Sequence, residues 1–421
     1  MDYKEALEYI NGVAWFGSKP GLERIGELMH RLGDVQNGLK FVHVAGTNGK
    51  GSASAMLASV LRAAGYKTGL FTSPYLARFN ERMRINGREI DDDALAGVVS
   101  RVRPQADGMD EHPTEFELMT AAALLWFAEE KCDVVVLEVG LGGRYDATNV
   151  IAAPEAAVIM NIGLDHTAVL GGTVEKIAWE KAGIIKPGCD AVLYEQSESV
   201  TAVIRAECEK QGAALHIADF SQIVSEFDSL DGQVFTYKGD AYALPLLGAH
   251  QRRNAAVVIE TVQVLRARGW KLEQSDVEHG LYAVAWPARF EIVADDPYFV
   301  VDGGHNPQCA QTVADNLRAY FPGRRHVLLM GVLADKDYMK MTEILNAAAD
   351  EYVCVTPDSP RALPAEKLGE CLKRFGKPVS VCASIREGVG AAQDAAGEDG
   401  VVCAVGSLYM AGEIRGCFGL K

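Results

Sequence analysis

The 421-residue chain is expected to form an α/β protein of two doubly wound domains, a larger N-terminal one on a mostly parallel sheet and a smaller, Rossmann-like C-terminal one. Three observations lead there. Short apolar runs alternate with longer helical patterns from one end to the other. Those runs are nearly continuous, not alternating in and out, as strands are when helices cover both faces of a parallel sheet. The length of 421 residues also exceeds one compact domain of ~100–200 residues.

Strands are expected over 40–46 (KFVHVAG), 68–73 (TGLFTS), 133–140 (DVVVLEVG), 155–162 (EAAVIMNI) and 190–195 (DAVLYE). Helices are expected between them over 52–64, 115–130, 173–182 and 198–211. The polar stretch 216–245 suits a small antiparallel hairpin and leads into a helix over about 250–267. A second series follows, with strands over 297–304, 325–332, 351–356, 378–384 and 400–407. Its helices lie near 307–320, 337–349, 364–375 and 385–396. The boundary is placed between the helix ending near Tyr282 and the strand that opens after Trp286–Pro287, giving domains 1–285 and 286–421.

Composition narrows the function. Hydrophobic residues at 48% and charged residues at 23% exclude wholesale disorder. A net charge of −16 argues against a nucleic-acid or anionic-membrane binder and leaves room for a local basic pocket. No stretch of about 18 residues is apolar enough to span a membrane, and the start MDYKEALEYI lacks a basic head and apolar core for export. The nine cysteines are scattered without a C-x-x-C pair, as in a reducing compartment. A cytoplasmic monomer acting on small molecules is the expectation.

The strand ending near residue 45 runs directly into Gly46-Thr47-Asn48-Gly49-Lys50-Gly51-Ser52 and then an Ala- and Leu-rich helix. This is the order of a phosphate cradle: glycines turn backbone N–H groups inward and the helix N-terminus adds its dipole. Lys50 would neutralise β- and γ-phosphates, and Ser52 could reach a metal ion. The pattern departs from G-x-x-x-x-G-K-[ST], because Val44 stands where the first glycine belongs and Gly51 follows Lys50. A tight βα turn without a ligand is the plain alternative. The cradle makes the first domain P-loop ATPase-like.

The loop GTNGKGS resembles the Mur-ligase superfamily of ATP-dependent amide-forming enzymes, and its Gly51 is similar to the folylpolyglutamate synthase and dihydrofolate synthase branch. Further matches follow in order: Thr72-Ser73-Pro74-Tyr75-Leu76, the run LEVGLGGRYDATN over 137–149, Leu164-Asp165-His166-Thr167 and Glu180-Lys181-Ala182-Gly183-Ile184. In the second half, Asp302-Gly303-Gly304-His305-Asn306-Pro307 and Asp335-Lys336-Asp337 resemble that branch's D-x-x-H-N-P and D-K-D signatures.

The resemblance implies ATP and Mg²⁺ as cofactors. It places ATP on Thr47, Asn48, Gly49, Lys50, Gly51, Ser52, Asn254, Arg289 and Asp302, and Mg²⁺ on Ser73, Glu138 and His166. Glu138 ends an apolar strand, where a hard carboxylate suits Mg²⁺, whereas His166 is an unusual Mg²⁺ ligand accepted on resemblance alone. Lys181 corresponds to a lysine often carbamylated in the family, and its plain reading is a lysine near a helix C-terminus. With Lys50 and Lys181, His305 is implied near the glutamate or the acyl phosphate. Pterin contacts are implied at Ser18, Lys19, Pro20, Thr114, Glu115, Phe116, Glu117, Asp146 and Ala147, although Phe116 reads equally as a core residue of its helix.

The implied reaction is ligation of L-glutamate to dihydropteroate or reduced folate through an acyl phosphate, with both activities in one chain. A monofunctional folylpolyglutamate synthase and another Mur-type amino-acid ligase are the alternatives.

Overall fold

The computed structural model describes residues 1–13 and 21–420. Its first sheet has eight strands: β1 (Phe41–Ala45), β2 (Thr68–Phe71), β3 (Met83–Ile85), β4 (Arg88–Glu89), β5 (Val134–Glu138), β6 (Ala156–Ile159), β7 (Asp190–Leu193) and β8 (Leu215–Ile217). Their order is β4-β3-β2-β5-β1-β6-β7-β8, antiparallel only at β2–β3 and β3–β4. The continuous apolar reading of β1 has a simple cause. Val42 and Val44 enter a core shared with the Lys50–Ala63 and Ala249–Ala267 helices, while Phe41 and Ala45 enter cores on the other face.

The helix Gln274–Tyr282 packs against Lys50–Ala63 so closely that a Cβ on Gly280 would lie 2.4 Å from Val60 Cα. Backbone cannot yield as a side-chain tip can. Gly280→Ala is therefore expected to destabilise the protein by roughly 1–3 kcal/mol, read as a lower denaturant midpoint. A midpoint equal to wild type would contradict this packing.

The stretch expected as a hairpin forms three antiparallel strands, β9 (Ile223–Ser229), β10 (Gly232–Tyr237) and β11 (Asp240–Leu244). Lys238 (φ 51°) and Gly239 (φ 93°) make the second tight turn, with positive φ at both central residues, as two-residue hairpins favour. Phe235, Tyr237, Tyr242 and Leu244 then bury one face in the first core.

The second sheet contains β12 (Glu291–Asp295), β13 (Tyr298–Val301), β14 (His326–Met330), β15 (Glu351–Cys354), β16 (Val379–Val381) and β17 (Val401–Val405). Its order is β12-β13-β17-β14-β15-β16, parallel except for β12–β13. The half-buried edge strand β12 has too little apolar character to be read from sequence.

The carboxyl ends of the two sheets face each other. Loops after β1 and β6 meet loops after β13 and β14 through Asn48–Asn306 and Asp165–Lys336. The loop after β2 meets the helix after β17, where Leu76 O would lie 2.3 Å from a Cβ on Gly412. Open α/β sheets bind ligands in the crevice where strand order reverses, and here β5 and β6 leave β1 on opposite sides. No helix among the described residues is long and apolar enough to cross a membrane.

Candidate active site

The turn after β1 is built around glycine. Gly46 (φ 152°) passes Met160 so closely that a Cβ would sit 2.6 Å from Met160 Cβ, and Gly49 (φ 84°) caps the Lys50–Ala63 helix. Thr47 and Asn48 donate their backbone N–H groups to Asn161 O at 2.7 and 3.1 Å, which pins the turn to the segment after β6. The first N–H groups of the helix have no intrahelical partner, so the turn presents donors and a positive dipole end. Lys50 Nζ donates to Gly46 O (3.1 Å) and Thr47 O (3.3 Å), wrapping its ammonium over the loop. Ser52 is buried and its hydroxyl accepts from Gln251 Nε2 at 3.3 Å, while Asn254 donates to Gln251 Oε1. The Ala249–Ala267 helix thus lies along the loop, and a Cβ on Gly49 would meet Asn254 Oδ1 at 2.7 Å.

Glu138, the last residue of β5, is 3% exposed. Burial raises its carboxyl above the ordinary range, opposed by Lys50, the Ser73 N–H, Arg289 and Arg82. Its Oε2 accepts from Ser73 N at 3.2 Å, which brings the Ser73 hydroxyl to the same sheet edge. This pair of hard oxygen donors beside the phosphate loop fits a magnesium ion. His166 Nε2 lies 3.2 Å from Lys336 Nζ, in the second lobe, and the Lys50 charge of the phosphate loop also acts on the ring. Burial, with Lys336 beside it, pulls the His166 imidazole down to about 4. Among the described residues no three His, Cys, Asp or Glu side chains converge as a metal cluster.

Asp165 is the hub of the interlobe contact. Lys336 Nζ lies 2.7 Å from its Oδ1, with His305 Nε2 3.6 Å and Asn306 Nδ2 3.5 Å from Oδ2. Burial alone would raise its carboxyl, but His305, Lys336 and His166 override this and hold it well below the usual carboxylate range. His305 Nδ1 contacts Gly303 O at 3.1 Å, so that ring bridges its own loop and Asp165. Asn48 completes the seam, accepting from Asn306 Nδ2 (2.8 Å) and donating to Gln308 (2.7 Å).

Arg289 projects from a strained turn. Its neighbours Ala288 (φ 54°) and Phe290 (φ 48°) both occupy the left-handed region, which costs energy for residues with a Cβ. Asp302 holds this turn, accepting from Phe290 N (2.8 Å) and Gly304 N (2.7 Å), and Gly303 N donates to Ala288 O (2.9 Å). A Cβ on Gly303 would sit 2.3 Å from Leu408 Cδ2 and 2.5 Å from its Cγ, so this loop packs closely on the segment after β17. Asp302 therefore positions the turn that carries Arg289, a role its motif did not reveal.

Lys181 is 3% exposed near the end of the Val174–Ala182 helix. Burial, reinforced by Lys50, pulls its amine down to about 7, against the nearby acids Asp165, Asp146 and Glu180.

The expected pterin residues divide. Ser18, Lys19 and Pro20 lie outside the described residues. Thr114 and Glu117 form a capping box at the start of the Glu115–Glu129 helix, and Glu117 also pairs with Arg24. Phe116 lies against Gly140, whose Cβ would meet the ring at 2.4 Å, and against Phe71 at 6.0 Å between centroids. Glu115 is half-buried with its carboxyl raised by burial and opposed by Arg82. Asp146 caps the short turn Ala147–Val150 and accepts from Leu141 N at 2.8 Å, closing the LGG loop beside Phe116. The glycine turn after β1, a buried carboxylate and cations from both lobes thus come together at the facing ends of the two sheets.

Comparisons with known proteins identify the family and the fold. Residues 44–262 match the Mur ligase middle domain and residues 288–408 the Mur ligase glutamate ligase domain. The chain is 37% identical to the dihydrofolate synthase/folylpolyglutamate synthase of Bacillus subtilis, over 98% of each chain. The structure of Escherichia coli FolC in complex with DHPP and ADP superposes with a TM-score of 0.89 at 30% identity, covering 100% of this chain and 98% of that one. The Mycobacterium tuberculosis folylpolyglutamate synthase complexed with ADP gives a TM-score of 0.92 at 32% identity, with the same coverage.

Proposed function

This chain belongs to the Mur ligase family, in its folylpolyglutamate synthase and dihydrofolate synthase group, and from that premise we propose how its interlobe cleft joins L-glutamate to a pteroyl carboxylate with cleavage of ATP. The observation that carries the reading is the convergence on one phosphate loop of Lys50 and Glu138 from the first lobe and Arg289 from the second.

An oxygen of the acceptor carboxylate attacks the γ-phosphorus of ATP, the bond to the bridging oxygen breaks, and ADP leaves an acyl phosphate. The glutamate amine then attacks the acyl carbon, the tetrahedral intermediate expels phosphate, and the nitrogen gives up a proton. Lys50 and Arg289 offset negative charge on the transferring group, and the loop N–H groups orient it. Glu138 and Ser73 would hold a magnesium ion, which supplies further charge neutralisation at the phosphates when bound. Asn254 lies beside the phosphate loop toward the nucleoside end. Phe116, Asp146 and Ala147 form the slot for the flat heterocycle. The Asn48–Asn306 and Asp165–Lys336 contacts close the seam against water, which would otherwise hydrolyse the acyl phosphate.

One assay tests the reaction: ADP release with dihydropteroate or tetrahydrofolate in turn, with and without glutamate. Sustained turnover of ATP to ADP should require a pterin acceptor and glutamate together, and the acceptors used show whether one or both synthase activities reside here. No ADP with either acceptor would overturn the reading.

The depressed amine of Lys181 supports its carbamylation, because only a neutral amine adds CO₂. A carbamate would turn a buried cation into an oxygen donor facing the phosphate site. With isotope-labelled bicarbonate above pH 7, wild type should show a carbamate carbon resonance that Lys181→Arg lacks. An unmodified lysine under those conditions would refute the modification.

A further inference from the structure

β1 carries one polar side chain among four apolar ones, His43, and it is fully buried. Side chains two residues apart share a face of a strand, so His43 points with Phe41 and Ala45. Strands β5 and β6 flank it through Leu137 and Ala157. Its Nε2 lies 2.9 Å from the hydroxyl of Thr148, which is fully buried as well. That hydroxyl donates to Asp146 Oδ1 at 2.5 Å, and Thr148 N donates to the same oxygen at 3.0 Å. His43 Nδ1 has no hydrogen-bond partner among the described residues.

Thr148 has a single hydroxyl proton, so the side-chain relay admits two arrangements. In one, His43 Nε2–H donates to Thr148, Thr148 donates to an ionised Asp146, and Nδ1 is a bare lone pair. In the other both bonds reverse: Asp146 is a protonated acid, and the ring proton moves to Nδ1, where it finds no acceptor. A buried N–H without a partner is the rarer and costlier defect, so the first arrangement holds. Lys186 Nζ donates to Asn149 O at 2.8 Å and to Ile151 O, which fixes the end of the same short turn. Burial, with the Lys186 charge behind it, pulls the His43 imidazole down to about 3, so the ring stays neutral. We infer that His43 is a positioning residue: through Thr148 it holds Asp146 as an acceptor-only carboxylate on the heterocycle side of the cleft, an assignment that rests on the glutamate-ligase reading above. Asp146 needs this support, since burial raises its carboxyl above the ordinary range and Thr148 is the first group opposing that. With Oδ2 taken by Leu141 N, both oxygens are fixed, and the loop beside Phe116 is fixed with them.

Two measurements on the intact chain test the assignment. With isotope-labelled histidine, the ring nitrogen resonances that His43→Gln removes should report a neutral Nε2–H tautomer in wild type from about pH 5 to about pH 8. A proton on Nδ1, or a charged ring, would overturn the assignment. The second is steady-state ADP release with whichever of dihydropteroate and tetrahydrofolate wild type uses. His43→Leu should raise KM for that pterin about tenfold or more and leave kcat and KM for ATP within about twofold. His43→Gln should recover most of the loss, because its amide N–H can donate to Thr148 as the ring N–H does. Thr148→Val should show the same split, and in its background His43→Leu should add less than about twofold. An unchanged pterin KM in a folded His43→Leu would overturn the assignment, as would equal losses in kcat and both KM values. If His43→Leu does not fold, the tautomer and Thr148→Val decide by the same criteria. Wild type releasing no ADP with either pterin would overturn the ligase reading and the assignment together.

Discussion

Replacing Lys50 with alanine is expected to leave the fold intact and reduce pterin- and glutamate-dependent ADP release by about a thousandfold or more. Among the described residues the Lys50 ammonium bonds only to carbonyls of its own turn, Gly46 O and Thr47 O, so its removal opens no core cavity. The turn keeps its shape through Thr47 and Asn48 donating to Asn161 O. On the proposed mechanism, what disappears is the positive charge that offsets the transferring phosphoryl group. The loss should fall on kcat more than on KM for the pterin, because the charge matters most as the γ-phosphoryl departs. Near-wild-type turnover in a well-folded Lys50→Ala would refute the mechanism.

Asp165→Ala is expected to cost about 3–5 kcal/mol, because it strands the Lys336 ammonium in a buried seam. The two side chains are 10% and 7% exposed and 2.7 Å apart, with His166 and His305 also facing the carboxylate. Since the pair joins the lobes, the loss should appear as separate lobe transitions in denaturant, not one shifted transition. Asp165→Ala combined with Lys336→Met should recover most of the loss, because an apolar pair of similar volume removes the unpaired charge. The pH dependence has a definite sign: the folded-state carboxyl is depressed, so this stabilisation is complete above about pH 4 and is lost as acid protonates Asp165. Equal stability of Asp165→Ala and wild type at neutral pH would show that the pair contributes nothing.

Much of this was legible because the chemistry sits at strand ends. Lys50, Glu138 and Asp302 each follow an apolar run in the sequence, and each lies where such a run leaves the sheet. Features that depend on distant partners were silent. Asp165 stands within LDHT, but its ion-pair partner Lys336 lies 171 residues away. The T-x-x-E spacing of Thr114 and Glu117 signals a capping box, and that is what they form. The left-handed Ala288 and Phe290 could not be foreseen, since neither residue type favours that conformation.

The connection between the lobes runs past Trp286, whose indole Nε1 would lie 2.9 Å from a Cβ on Gly51, and Arg84 lies over the same ring at 5.6 Å. The covalent tether is thus seated on the phosphate loop itself. A rigid body turning about such a pivot moves in proportion to distance from it. Small rotations would barely disturb Lys50 and Ser52, while contacts farther from the tether would travel wider. Leverage of this kind would let the distant parts of the seam part while the phosphate loop keeps its shape.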